Sequence, residues 1–113
     1  MLKEMQAVFG SEMVYTCARK ARINEHDKVC IEDVVIFDHA GQSKVGFVKM
    51  HVGVHQHKGG TVEAMTLINV LDLRSTRRGI SNYTDSAMHL FVPTASVMKA
   101  CIWAKSNGTT NMI

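Results

Sequence analysis

SKVGFVKMHVGVHQHKGGTVEAMTLINVLDL, residues 43–73, decides how the chain folds. Apolar and polar residues alternate on both sides of Gly59-Gly60, which is the period of a β-strand. Two adjacent glycines supply the positive φ that a two-residue hairpin loop demands. With that loop, Lys58 faces Thr61, and Val48, Met50, Val52 and Val54 align with Leu71, Asn69, Leu67 and Met65 on one nearly continuous apolar face. Phe47, Lys49, His51, Gly53, His55 and His57 fall on the other face. The stretch reads as two long antiparallel strands, at about 43–57 and 61–73.

Upstream, the polar turns NEHD (24–27) and DHAGQS (38–43) bracket a third strand at about 28–38. A three-residue second turn would send Val34 and Ile36 inward with Glu32, and a four-residue turn would send Val35 and Phe37 inward with Asp33. LKEMQAVF (2–9) suits a helix with Leu2, Met5 and Phe9 on one stripe. Residues 12–23 are two-sided. Val-Tyr-Thr-Cys favours a strand, whereas the Ala-Arg-Lys-Ala ending favours a helix and tips the reading that way.

Downstream, RSTRRGISNYTDS (74–86) reads as a polar loop, followed by a short apolar piece ending at Pro93. TASVMKACIWAKSNG carries Thr94 as N-cap, Met98 and Ile102 on one stripe and Gly108 as a C-cap, so a helix is expected over 95–106 with TTNMI frayed beyond it. The fold expected from sequence is α+β, an antiparallel β-meander of three to four strands covered by an N-terminal and a C-terminal helix. Its 113 residues are the size of a single domain.

Composition narrows the class. Hydrophobic residues make up 46% and charged residues 20%, values of a globular chain and not of a disordered one. The longest apolar runs, such as Val34-Val35-Ile36-Phe37, are far short of the roughly 20 residues of a membrane helix. The first ten residues are too polar for a secretory signal. Cys17, Cys30 and Cys101 are scattered without a C-x-x-C spacing, which suits small buried apolar side chains in a reducing cytosol.

His51, His55 and His57 share one strand face, and His-x-His on a strand can aim two imidazoles at one metal ion. HQHKGGTVE (55–63) resembles the His-x-His…Glu element of cupins over these nine residues. The gap to Glu63 is one residue longer than in cupins, and the later Pro-x-Gly-x-x-His element is absent, so that family is not assigned. In the hairpin register Glu63 also projects from the face opposite His55 and His57, which leaves the histidines as surface or tip residues. Phosphate-loop motifs are absent, and no motif pairs a cysteine with a histidine.

The basic segments point elsewhere. Arg74, Arg77 and Arg78 stand among Ser75, Thr76, Ser81 and Tyr83, and Arg19, Lys20 and Arg22 form a second cluster. Guanidinium groups grip phosphate bidentately, and hydroxyls add hydrogen bonds. Aromatic residues are sparse, which argues against a binder that works by stacking bases. A helix–three-strand–helix order is also that of double-stranded-RNA-binding domains, an analogy of fold alone. The expectation is a small non-enzymatic cytosolic accessory protein without a cofactor. Its basic patch would contact nucleic acid or an acidic protein. The alternative is a metal-dependent or histidine-based enzyme using His51, His55 and His57. Exposed edge strands would allow a homodimer.

Overall fold

The computed structural model describes residues 13–24, 27–56, 62–106 and 109–112. Ten strands follow in chain order: β1 (Met13–Ala18), β2 (Lys20–Arg22), β3 (Lys28–Cys30), β4 (Val34–His39), β5 (Gln42–Gln56), β6 (Glu63–Arg77), β7 (Ile80–Pro93), β8 (Val97–Ala100), β9 (Trp103–Ser106) and β10 (Thr109–Met112). A single 3-10 turn, Thr94–Ser96, is the one helical element among the described residues. The α+β expectation is therefore corrected to a nearly all-β architecture. The large sheet is antiparallel and eight-stranded in the order β8-β4-β5-β6-β7-β10-β9, with β1 beside β5 and a small β2–β3 sheet apart.

Both helical assignments within the described residues fail for one reason, which is that a sheet edge was available to pair with. The segment 12–23 supplies β1, which hydrogen-bonds along β5 from Met13 opposite Gln56 to Ala18 opposite His51, and then β2, paired with β3. Residues 95–106 split into the 3-10 turn, β8 and β9. β8 covers the edge of β4, with Phe37 opposite Val97 and Val35 opposite Ala100. A lone helix of this length is marginal in water, and Val, Cys, Ile and Trp accept extended backbone readily. Met98 and Ile102, the intended inward stripe, are 55% and 74% exposed. The supposed polar loop 74–86 is the far part of the β6–β7 hairpin, turned by Arg78-Gly79, and the expected frayed tail contains β10. The N-terminal helix over 2–9 and the Gly59-Gly60 loop lie outside the described residues.

The central strands are where expected, with a different register. Val52 pairs with Met65 and Val54 with Glu63, two residues from the pairing a two-residue glycine loop imposes. Between Val48 and Met50 the ladder slips by one, leaving Lys49 as a bulge. The slip moves Val48 to the face of His51, Thr66 and Ile68, away from Met50 and Val52. The turn before β5 is shorter than either alternative. His39 pairs with Gln42 across Ala40-Gly41, with φ of 53° and 79°, the positive pair of a type I′ hairpin.

β6 is buried without interruption from Met65 to Leu71 and exposed from Asp72 onward. Seven successive buried residues mean that both faces are covered in the middle of the sheet. One face packs Val35, Phe37, Val48, Ile68, Val70, Val92 and Val97 beneath Val29 of β3, with Ile23 and Ile31 beside them. The other face holds Val52, Val54 and Met65 with Met50 and Phe91.

The sheet is also rolled. β8 and β9 stand at opposite ends of the strand order, about 29 Å apart in a flat sheet. Only Cys101 and Ile102 connect them, and three Cα steps reach about 11 Å at most. Trp103 of β9 meets Phe47 of β5 edge-on, ring centroids 5.7 Å apart, although β6, β7 and β10 intervene in the ladder. That contact requires the sheet to curl round the Phe47 face. The 15-residue strands β5 and β6 set the long axis, 53 Å of a 53 × 31 × 25 Å body.

Candidate functional site: an arginine-rimmed cleft

The exposed end of the rolled sheet is four strands wide. Ser75 of β6 pairs with Asn82 of β7, Asn82 with Asn111 of β10, and Asn111 with Ala104 of β9, so one row of side chains crosses all four strands. Arg77 pairs with Ile80 two residues nearer the turn, on the same face. A bulge at Arg74 puts Leu73 and Ser75 on opposite faces and so brings this row into line. The row forms the floor of a cleft of about 940 Å³ lined by Ser75, Thr76, Arg77, Arg78, Ile80, Asn82, Ala104 and Asn111.

The floor's hydrogen bonds have a direction. Asn82 Nδ2 donates to Thr109 Oγ1 at 3.1 Å and to Asn111 Oδ1 at 2.5 Å. Both amide hydrogens of Asn82 are thereby used, and Asn111 Nδ2 and Asn82 Oδ1 have no partner among the described residues. On the opposite face of the hairpin, the Thr76 and Ser81 hydroxyls share a bond of 3.3 Å. Two guanidinium groups, hydroxyls and two amides line the cleft, and no carboxylate does so among the described residues. Such a lining attracts anions.

Of the basic residues singled out in the sequence, Arg77 and Arg78 line the cleft, whereas Arg74 occupies the exposed bulge beside it. Tyr83, neighbour of Asn82 on β7, lies on the opposite face against Leu73 and Thr110. Arg19, Lys20 and Arg22 are exposed and belong to a different region. Ala18 pairs with His51 and His51 with Thr66, eight residues from Arg74 along β6, so Ala18, the neighbour of Arg19, sits about 26 Å away along the strand axis. Ile80, Asn82, Ala104 and Asn111 were missed from sequence. Period-two alternation over Ile80–Tyr83 was the available signal for the first two.

The histidine cluster is divided. His51 is 3% exposed, with Nε2 2.9 Å from the Val29 carbonyl and Nδ1 2.9 Å from Thr66 Oγ1, itself 2.8 Å from Thr94 Oγ1. A carbonyl only accepts, so Nε2 carries the hydrogen, Nδ1 accepts from Thr66, and Thr66 accepts from Thr94. Burial pushes the His51 pKa down, against a smaller upward pull from the Val29 bond and from Asp33. Both ring nitrogens are thus engaged in joining β3, β5, β6 and the 3-10 turn. His55 is half-buried, and Glu63 pairs with Val54, on the face opposite His55. His57 lies outside the described residues. Among the described residues no three His, Cys, Asp or Glu side chains gather closely enough to hold a metal ion, and no helix is long and apolar enough to cross a membrane.

Compared with protein-family models, curated proteins and solved structures, the chain matches none.

Proposed function

We propose that the protein is a non-enzymatic binding protein whose cleft at the β6–β7 turn holds the phosphate backbone of a nucleic acid. The observation that carries this reading is the cleft's composition, with Arg77 and Arg78 lining it beside Ser75, Asn82 and Asn111 and no acidic lining residue among those described. Arginine and short polar donors are the groups that engage phosphate oxygens. The formal net charge of +3 favours the encounter. A cytoplasmic, reducing setting fits the free thiols, although Cys17 and Cys30 are exposed and not the buried side chains expected from sequence.

Binding of labelled DNA and RNA oligonucleotides over a range of salt concentrations tests the reading. Affinity should fall linearly on a log–log salt plot, and replacing Arg77 and Arg78 with Ala should flatten the slope by about 1.4 on single strands, at about 0.7 per phosphate contact. Replacing Arg19, Lys20 and Arg22 with Ala should leave the slope nearly unchanged. Absence of salt-sensitive binding to any oligonucleotide overturns the proposal, and capture of an acidic polypeptide in its place would assign the cleft to a protein partner.

A further inference from the structure

From the floor of this cleft we infer that the nucleic acid it holds is single-stranded and that the Asn82–Asn111 amide pair takes the edge of a base. The inference rests on the phosphate-binding reading and adds to it the form of the ligand and the residues that contact its bases.

The argument for a single strand is one of width. A two-stranded ribbon fits the major groove of a duplex, which is about 12 Å wide. Here β10 and β9 flank the hairpin almost to its turn, since Met112 pairs with Ser81 and Trp103 with Met112, one pair short of Arg77 and Ile80. Four backbones at about 4.8 Å spacing span about 14 Å before side chains are added. The end of the sheet is therefore too broad to enter the groove, and its side-chain row is reached by a chain lying across the face. A duplex laid on this surface would offer phosphates and keep its base edges paired. A single strand offers both.

The argument for a base contact is one of chemistry. Asn82 spends both amide hydrogens on Thr109 and Asn111, and Asn111 Oδ1 is the acceptor of one of them. Asn82 Oδ1 remains as an acceptor beside Asn111 Nδ2 as a donor, on neighbouring strands in directly paired positions. A side-by-side acceptor and donor matches the hydrogen-bonding edge of a nucleobase, which also presents one of each. A phosphate only accepts, and Asn82 Oδ1 has nothing to gain from it. The Arg77–Ile80 row lies two residues along the strand, about 6.7 Å away. That separation lets one nucleotide place its phosphate at the guanidinium groups and its base over the amides. Ile80 and Ala104 supply the apolar sides of the cleft, against which a base face can rest without aromatic stacking.

The test compares the full chain's binding to a base-bearing single-stranded oligonucleotide with binding to an abasic strand of equal length and to the matching duplex. The base-bearing strand should bind about tenfold more tightly than the abasic one, the scale of one good amide–base pair. Asn111→Ala and the uncharged Asn111→Leu both remove the donor. Each should erase that preference while leaving the salt slope unchanged, with thermal melting used to confirm that the fold persists. Equal binding of abasic and base-bearing strands, or tighter binding of the duplex, overturns the inference, and the phosphate reading stands if the salt slope still depends on Arg77 and Arg78.

Discussion

Gly46 and His51 show how closely single positions in the central strands are specified. A Cβ at Gly46 would stand 2.1 Å from Ile68 Cγ2, 3.0 Å from Phe37 Cε1 and 3.1 Å from the Asn69 carbonyl oxygen. Ile68 and Phe37 are fully buried, so neither can swing aside. Gly46→Ala should therefore destabilise by about 1–3 kcal/mol, read by urea denaturation, and its cost should be smaller when measured in an Ile68→Ala background. An unchanged midpoint for Gly46→Ala would mean that β5 and β6 are farther apart than described. His51 makes a pH prediction. Its folded pKa lies below the unfolded value of about 6.5, so between the two values the unfolded chain binds the extra proton and stability rises with pH. The histidine's contribution is full above about 6.5, falls as the solution is acidified through that window, and levels off below the folded pKa. The stability difference between the parent protein and His51→Gln should shrink over this range. His51→Ala, which strands Thr66 and the Val29 carbonyl, should cost about 1–3 kcal/mol at neutral pH.

At the scale of elements, the turns are under local strain that substitutions can relieve. Ala40 has φ 53° ahead of Gly41, and Ala87 has φ 61° in the irregular stretch of β7 where the ladder slips between Asn69 and Leu71. The second irregularity is supported by its own side chains. Asp85 Oδ1 accepts from the Ala87 amide at 2.7 Å, while Ser86 Oγ donates to the Val70 carbonyl at 2.7 Å and accepts from the Met88 amide at 3.1 Å. Nothing comparable supports Ala40, so Ala40→Asn, which creates the preferred Asn-Gly pair of a type I′ turn, should raise stability by about 0.5–1 kcal/mol. A lower melting temperature for this variant would contradict the turn. The same elements explain what the sequence made legible. Long alternating runs in β5 and β6 announced themselves because β-branched residues and period-two spacing agree. The register did not, because the pairing is already offset by two on the turn side of Lys49, and the Lys49 bulge adds a further slip that leaves no mark in the pattern. Residues 95–106 have a helical stripe in Met98 and Ile102, but pairing with β4 outweighs a local preference of a few tenths of a kcal/mol per residue. Arg77 and Arg78 could be picked out by residue type, whereas Asn111 could not, since its place opposite Asn82 comes from a pairing 29 residues apart in the chain.

For the whole molecule, the property that matters is the roll of the sheet, because it brings β9 to the cleft. Trp103 faces inward to Phe47, and the next residue, Ala104, faces the cleft. Lys49 Nζ sits 5.1 Å from the Phe47 ring centre, on the same aromatic pair, so the bulge that resets the register also contributes a cation to the contact that holds β9 in place. If the roll is maintained by this contact, loss of either ring should loosen β9 and β10 together and blur the cleft from behind. Single Phe47→Leu and Trp103→Leu variants and the double variant form a cycle. An edge-to-face pair predicts a coupling of about 0.5–1.5 kcal/mol in denaturation experiments. Amide hydrogen exchange should rise in β9 and β10 of Trp103→Leu and stay unchanged at the β4–β5 turn. Oligonucleotide affinity should fall with it, although Trp103 itself points away from the cleft. Additive single effects with unaltered exchange in β9 would show that the sheet keeps its curl without the aromatic pair, and that the two-residue link from β8 is sufficient to hold it.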